Sequence, residues 1–257
     1  MSGIRVLARP RNIVYVYDGT YDGFLCCVHE SIYRHELPSE IWREELAPLT
    51  MLETRFIKTD RVMASAVASS IPKHISIRAG ELVNTVYFSC LEQKELKMLT
   101  FLLRGYNEGR GVAYSLADKD VAPLLAAEKH LLGEAHLLTG FVRFADVGGA
   151  LVSTITPKNY VLPFIAQHFL LRYSRENFMI FDKTNKAALT YQNGKAEILS
   201  VDSIEFPEVT KAEERYQALW KRFYDTVAIE SRINPRCRMT HMPKRYWGNM
   251  PEVRELL

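Results

Sequence analysis

The strongest constraint on the fold is a stretch whose side chains alternate between apolar and polar around two adjacent glycines. The sequence FVRFADVGGALVSTITP, residues 141–157, shows this alternation on both sides of Gly148-Gly149. A period of two is typical of a strand with one buried face, and paired glycines suit the positive φ angles of a tight hairpin turn. The segment therefore predicts a β-hairpin in the second half of the chain.

Further elements in the second half surround this hairpin. Residues 159–173 carry apolar side chains at helical spacing, with His168 on or beside the apolar stripe. Phe178–Asp182 and residues 186–191 predict a second hairpin with KTN as its turn, and residues 195–201 a further strand. The pattern T-x-x-E formed by Thr210 and Glu213 is typical of a helix N-terminus and opens an amphipathic helix.

The first half of the chain is mainly helical in pattern. The run IVYVY, residues 13–17, predicts a strand that ends at Asp18-Gly19, and Phe24 to Tyr33 follows as a helix. We interpret the junction as a turn in which Thr20 caps this helix; an anion bound at the helix N-terminus is the alternative. Residues 52–59 predict another strand, and a helix that Asp60 caps ends before Pro72.

These patterns predict an α+β protein, with a helical N-terminal half and a C-terminal antiparallel sheet covered by helices. We place a soft boundary near residues 110–118, which gives a mainly helical part over 1–112 and an α+β part over 113–257. One continuous domain is the alternative. The helix that begins near Asp118 carries Glu128, His130, Glu134 and His136, which we interpret as surface or partner-facing groups.

The cysteines argue against a metal site, a cluster or a disulfide framework. Cys26, Cys27, Cys90 and Cys237 follow none of the spacings of such sites. We therefore expect no metal and no cofactor, and a reducing compartment. The N-terminus has no apolar signal region, and no run reaches the roughly 18 apolar residues of a membrane helix. We expect a cytoplasmic protein without a membrane partner.

A basic segment near the C-terminus, residues 232–247 (RINPRCRMTHMPKRYW), contains no acidic residue. The predicted nucleic-acid-binding side chains of this segment are Arg232, Arg236, Arg238, Lys244, Arg245, Tyr246 and Trp247. Guanidinium groups bind phosphate and flat aromatic rings stack on bases, so the composition indicates contact with nucleic acid. The alternative is a tail that packs back on the protein, its arginines paired with acids such as Glu44, Glu45 or Glu53.

A second group of polar residues comes from the predicted sheet and the helix beside it. His168 and Asp182 are candidates for a catalytic acid–base pair, while Arg143 and Arg172 are candidates for holding a phosphate. A histidine on an apolar stripe is more often a hydrogen-bonded core residue, which is the competing interpretation. Serine-nucleophile elbows, Walker loops, HExxH and GxGxxG motifs are absent, which weighs against the commonest hydrolase, ATPase, metalloprotease and dehydrogenase classes.

Several stretches together resemble one bacterial family. They are VYDGTYDGFLCCV (16–28), GFVRF (140–144), QHFLLRY (167–173), NFMIFD (177–182) and residues 215–252, which contain the RYW motif. The family is described as DNA metabolism or DNA repair proteins of unknown function. Its members are associated with a DNA-modification or repair radical-SAM protein, and some are fused to a uracil-DNA-glycosylase-like domain. The resemblance implies no catalytic residues.

The resemblance and the basic segment lead to one leading expectation and two alternatives. We expect a nucleic-acid-binding accessory factor in DNA repair or modification that acts with DNA and a radical-SAM partner. The three-cysteine cluster motif of radical-SAM chemistry would have to belong to that partner, because the cysteines here are scattered. The alternatives are an enzyme acting on a nucleotide or damaged base, and a protein-interaction module without nucleic-acid binding.

Overall fold

The computed structural model describes residues 8–115, 118–204, 206, 210–229, 231 and 234–256. The chain divides into two units, residues 1–131 and 132–257. The division lies inside the helix α5, Ala122–Phe141, and not at residues 110–118. The residues that follow 110–118 still pack in the first unit, where Val121 and Leu124 are part of the core.

The first unit is built on a three-stranded parallel sheet in the order β2-β1-β3. The order along the chain is β1 Arg9–Tyr17, α1 Tyr21–Arg34, β2 Glu36–Arg43 and β3 Glu53–Phe56. The central strand β1 ends in the run Ile13–Tyr17, whose five residues are all buried. A continuous apolar run is what a strand covered on both faces requires. The predicted strand and helix of this region are confirmed.

Strand β2 was not predicted. Its sequence, ELPSEIWR, lacks a clear alternation and contains Pro38, which removes a backbone donor. The position of β2 explains why the sheet tolerates this proline. Strand β2 lies at one edge of the sheet and, among the described strands, pairs with β1 alone. Strand β3 is also shorter than the predicted 52–59.

The turn between β1 and α1 has the capping role that the sequence favoured. Thr20 Oγ1 accepts a hydrogen bond from Gly23 N at 3.0 Å, and Asp18 Oδ1 accepts from Thr20 N at 2.9 Å. Thr59 Oγ1 donates to Asp18 Oδ2 at 2.7 Å. Burial raises the pKa of Asp18, but these hydrogen bonds outweigh burial and leave the pKa lowered. The carboxylate of Asp18 therefore lies at the N-terminus of α1. The sequence had offered a bound external anion as the alternative for this position.

The remaining helices of the first unit are α2 Arg61–His74, α3 Ile77–Tyr87, α4 Lys94–Glu108 and the first part of α5. Asp60 caps α2 as predicted, since Oδ1 accepts from Val62 N at 2.7 Å and from Met63 N at 3.2 Å. The helix continues through Pro72 instead of ending before it. None of the helices in the described ranges has both the length and the apolar character that a membrane span requires.

The second unit contains a five-stranded sheet in the order β4-β5-β6-β7-β8. The elements are β4 Ala145–Val147, β5 Ala150–Ile155, α6 Leu162–Arg172, β6 Phe178–Asp182, β7 Ala187–Gln192, β8 Lys195–Ser200, α7 Lys211–Val227 and α8 Pro235–His241. Both predicted hairpins and the α+β class are confirmed. The sheet is mixed and not antiparallel throughout, because β5 and β6 pair in parallel. Helix α6 lies between these two strands along the chain, and a parallel pair requires such a crossover.

Gly23 in α1 provides a test of how tightly the turn after β1 packs. A Cβ atom at Gly23 would overlap Asp18 Oδ1 and lie 2.8 Å from Thr59 Oγ1, whereas one at Gly80 in α3 would lie 3.7 Å from Ile71 Cγ2, an ordinary contact. We expect Gly23→Ala to lower the free energy of unfolding by about 1–3 kcal/mol. Gly80→Ala should raise it by about 0.5–1 kcal/mol, because alanine loses less backbone entropy in a helix. Urea denaturation of both variants checks this; equal effects would contradict it.

Candidate nucleic-acid interface

The second unit holds the end of the chain through one buried carboxylate, Glu134 of α5, which is 3% exposed. Tyr246 OH donates a hydrogen bond to Glu134 Oε1 at 2.7 Å, and Arg245 Nη2 donates to the same oxygen at 2.6 Å. Asn159 adds its backbone N–H at 2.8 Å and its side-chain amide at 2.7 Å, both to Oε2. Lys158 N donates to Oε1 at 3.0 Å. Glu134 therefore joins α5, the loop that precedes α6 and the C-terminal segment.

These donors decide the charge state of Glu134. Burial raises the pKa of its carboxyl group, but the hydrogen bonds from Lys158 N, Tyr246 and Asn159 outweigh burial and leave the pKa lowered. The ionised form is thus the one that the site stabilises. The sequence had suggested that Glu128 and Glu134 face outward, and that is wrong for both. Glu128 is also buried and pairs with Arg78 in the first unit.

The aromatic residues that close the basic segment are part of the core. Tyr246 is 2% and Trp247 is 5% exposed, and both lie in a 3-10 helix over Lys244–Asn249. Trp247 Nε1 donates to Met242 O at 2.9 Å. The expectation that either ring stacks on a base does not agree with this burial, because both faces of a stacking ring have to be reachable. For these residues the tail packs back on its own unit, with Glu134 as a partner in place of Glu44, Glu45 or Glu53.

Arg143 also has a structural partner. Its Nη2 and Nε lie 2.7 and 3.0 Å from Glu252 Oε1, and its Nη1 donates to Gly140 O at 2.8 Å. The guanidinium carbon lies 5.6 Å from the centre of the Trp220 ring. Most donors of Arg143 are therefore occupied, and its contribution to an interface is to support the Trp220 ring from one side.

The aromatic groove, our name for the opening lined by Arg143, Arg172, Tyr173, Glu213, Tyr216 and Trp220 among others, has a volume of about 570 Å³. Tyr216 is 68% and Trp220 is 41% exposed. Arg172, at the end of α6, is exposed and places its guanidinium carbon 5.8 Å from the centre of the Tyr173 ring. In the described part of the chain no carboxylate forms an ion pair with Arg172. The groove thus combines exposed ring faces with one unneutralised guanidinium group.

Helix α7 exposes its apolar stripe. The stripe consists of Tyr216, Leu219, Trp220, Phe223 and Val227, and each is between 41% and 68% exposed. Polar side chains at the edge of the stripe and beyond it hold the helix on the unit. Buried Glu213 accepts from Asp146 N at 3.2 Å and from Gln217 Nε2 at 2.9 Å, and Lys221 pairs with Glu255. An apolar stripe normally faces a core, whereas this stripe is exposed, and exposed apolar patches are a common feature of binding surfaces.

The other cations predicted in the basic segment differ in whether they form an ion pair. Arg236 on α8 and Lys244 are exposed, Arg238 is half-buried, and none of them forms an ion pair within the described ranges. Lys244 Nζ lies 5.6 Å from the centre of the Trp247 ring. Arg245 is paired with Glu134, as described above. The predicted Arg232 lies outside the described residues.

The structure does not bring His168 and Asp182 together by any hydrogen bond or ion pair in its described part. His168 is exposed on α6 and contacts Phe169 edge to face, with ring centres 4.9 Å apart. Asp182 is fully buried and accepts from Thr184 N and Asn185 N at 3.0 Å and from Asn185 Nδ2 at 2.7 Å. These bonds close the β6–β7 turn. The described residues also contain no group of side chains that could hold a metal ion.

Tyr216 and Trp220 are the groove residues that the sequence did not single out as candidates for a site. Their helical spacing was recognised, but an apolar stripe gives no sign of which face is covered. The signal that was present is the polar pair Glu213 and Gln217 at the edge of this stripe, which form hydrogen bonds suited to a packed position. The burial of Glu134 had no local signal, because its donors come from residues 158, 159, 245 and 246.

The burial of Asp182 predicts a specific pH dependence of stability. Burial raises the pKa of Asp182 to about 6 from its ordinary 3.8. Between these values the folded state binds the proton more tightly than the unfolded state, so this residue makes the free energy of unfolding fall as pH rises. The contribution is on the order of 2–3 kcal/mol from pH 4 to pH 7.

Asp182→Asn keeps an oxygen acceptor for the turn but does not titrate. As pH rises from 4 to 7, we expect the free energy of unfolding of the wild type to fall relative to that of the variant by this amount. Denaturant unfolding followed by circular dichroism measures it. A difference that stays constant over this range would mean that the carboxyl group is not buried as described.

Comparison with known proteins adds one finding. The family model described as a domain of unknown function, DUF4130, matches residues 92–252. No curated protein and no solved structure matches the chain. The match covers most of the chain, including the aromatic groove and the Glu134 network, and the chain belongs to the DUF4130 family.

Proposed function

We propose that this protein binds nucleic acid through the aromatic groove of its second unit and takes up unpaired bases there. The observation that carries the proposal is the exposure of Tyr216 and Trp220 beside Arg172. Exposed aromatic rings next to a cationic side chain are the arrangement by which proteins hold single strands, because every base has a face that can stack. Bases paired within a duplex do not offer that face.

The free cations provide the phosphate contacts of the proposal. Arg172, Arg236, Arg238 and Lys244 have no ion-pair partner in the described ranges, whereas Arg143 and Arg245 are paired with Glu252 and Glu134. Each phosphate that a cation neutralises on a single strand contributes about −0.7 to the slope of log affinity against log salt concentration. We therefore expect a moderate salt dependence that arises from the first group and not from the second.

The biological setting of the proposal is DNA repair or modification, as an accessory factor to a radical-SAM enzyme. What supports this part is the resemblance to DNA metabolism proteins associated with such an enzyme, which rests on residues 16–28, 140–144, 167–173, 177–182 and 215–252. The chain's own cysteines favour an arrangement in which the partner carries the iron–sulfur cluster. Cys26 and Cys27 are buried in the first unit, and Cys90 and Cys237 are separate exposed thiols.

A second candidate function is protein interaction through the same helix. Leu219 and Val227 are 60% and 56% exposed, and neither side chain can stack on a base. An aliphatic surface of this kind favours burial against another protein. The two candidates differ in which α7 residues matter, so substitutions along one helix separate them. The enzymatic alternative with His168 and Asp182 has no comparable support.

The test compares substitutions on the exposed face of α7. We expect Trp220→Ala to weaken binding of a labelled oligothymidylate by roughly tenfold or more, because stacking on one ring contributes about 1–3 kcal/mol per base. Leu219→Ala, its neighbour on the same face, is the matched control and should change the affinity by less than twofold. Fluorescence anisotropy at low salt measures both, with a duplex of equal length expected to bind more weakly than the single strand.

A second series tests the cations. Arg236→Ala combined with Arg238→Ala should reduce the salt slope by about 1.4, whereas Arg143→Ala should act on stability and not on that slope. Absence of any affinity for single or double strands at low salt would contradict the proposal. Equal losses from Leu219→Ala and Trp220→Ala would also contradict it, because they would show that stacking on the Trp220 ring is not what holds the strand.

A further inference from the structure

The first unit contains a second cluster of charged and aromatic side chains, at the carboxyl ends of its parallel strands. Strands β1 and β2 end side by side, with Tyr17 opposite Arg43 in the register. Lys94 and Glu95, the first residues of α4, complete the cluster together with Tyr87. The carboxyl edge of a parallel sheet is where such sheets commonly bind ligands, because the loops leave the strands there.

A cavity of about 260 Å³ opens at this cluster. Strand β2 contributes Trp42 and Arg43 to its lining, and the chain around the start of α4 contributes Leu91, Lys94 and Glu95. The volume lies just below the roughly 300–1,000 Å³ of typical small-molecule sites. One ring system with a single charged group fits this volume better than a dinucleotide does.

The cations at this cleft are only partly neutralised. The Arg43 guanidinium carbon and Lys94 Nζ lie 5.6 and 5.3 Å from the centre of the same Tyr87 ring. Arg43 Nε is 3.6 Å from Glu95 Oε1, and that carboxylate also accepts from Tyr17 OH at 3.0 Å. Glu40, the other carboxylate in the lining, accepts from Trp42 Nε1 at 2.6 Å.

Lys94 has no carboxylate within ion-pair distance in the described part of the chain. Its ammonium group donates to two backbone oxygens, Tyr87 O and Ser89 O, the second at 2.8 Å. An ammonium group has three protons, so one remains available. Burial, reinforced by Arg43, lowers the pKa of Lys94 to about 8. Burial therefore destabilises the charged form of Lys94, and an anion beside the ammonium group would stabilise that form.

The backbone adds to the positive potential at this end of the cleft. Helix α4 begins at Lys94 and has 15 residues, so its first free N–H groups and its dipole lie next to the two cations. The residue at the cap position, Gln93, has left-handed backbone (φ 51°), and its side chain accepts no hydrogen bond from the helix. Two cations and an uncapped helix start suit a phosphate group, which accepts several charge-assisted hydrogen bonds at once.

We propose that this cleft binds a small organic phosphate with a flat ring, of the class of a nucleoside monophosphate. The phosphate lies at Arg43 and Lys94, and the ring packs on Trp42 and Leu91. This site belongs to the first unit and does not depend on the aromatic groove, so either proposal can fail without the other.

Isothermal titration of the full chain with adenosine monophosphate, adenosine and inorganic phosphate tests both parts of the ligand. We expect saturable binding of the monophosphate at least tenfold tighter than that of adenosine or of inorganic phosphate. Adenosine binding as tightly as the monophosphate would overturn the anion site. Inorganic phosphate binding as tightly as the monophosphate would overturn the ring site, and no saturable binding at millimolar concentration would overturn the proposal.

Substitutions on α4 locate the site. Lys94→Gln retains a donor for the backbone oxygens but removes the charge, and we expect it to weaken monophosphate binding at least tenfold. Lys97→Gln is the matched control, because Lys97 lies three residues further on and donates to Glu92 O at 2.6 Å outside the cavity lining. Arg43→Lys, which keeps the charge, should retain more affinity than Lys94→Gln. Equal effects of Lys94→Gln and Lys97→Gln would overturn the assignment.

Discussion

The arrangement of the second unit depends on one buried carboxylate. Glu134 accepts hydrogen bonds from Lys158, Asn159, Arg245 and Tyr246 and so fixes the C-terminal segment against α5 and the loop that precedes α6. A buried ionised group is stabilised when its oxygens accept several hydrogen bonds, and removing one partner of such a pair typically costs about 3–5 kcal/mol. Because the segment is held in this way, Tyr246 and Trp247 are core residues. The indole N–H of Trp247 donates a hydrogen bond to Met242 O.

This constraint separates the basic side chains by role. Arg143 and Arg245 neutralise the buried carboxylates Glu252 and Glu134, and both are therefore part of the fold. Arg172 and Arg236 remain exposed in the same unit, whose helix α7 presents aromatic rings outward. Positive charge that is needed for folding is thus separated from positive charge that is free for a ligand. The first unit shows a similar combination on a smaller scale, with Lys94 beside the Tyr87 ring.

Most of the fold follows from the sequence, but the site follows only in part. Both hairpins, the strand Ile13–Tyr17 and the capping residues Thr20, Asp60 and Thr210 were predictable, because each depends on residues close together in the chain. Strand β2 was not, since an edge strand with a proline lacks a local signature. The parallel pairing of β5 with β6 and the burial of Glu134 and Tyr246 were also beyond prediction. They arise from contacts between residues far apart in sequence, on which composition and periodicity carry no information.

Ultraviolet cross-linking of a single-stranded oligonucleotide to the full chain, with the linked peptides identified by mass spectrometry, tests the central claim most directly. The claim is that α7 provides the stacking surface while the RYW motif, residues 245–247, is structural. The structure predicts cross-links at Tyr216 and Trp220, which are 68% and 41% exposed, and none at Tyr246 and Trp247, which are 2% and 5% exposed. Cross-links concentrated at Tyr246 or Trp247 would contradict the claim and would show that the basic segment contacts the nucleic acid.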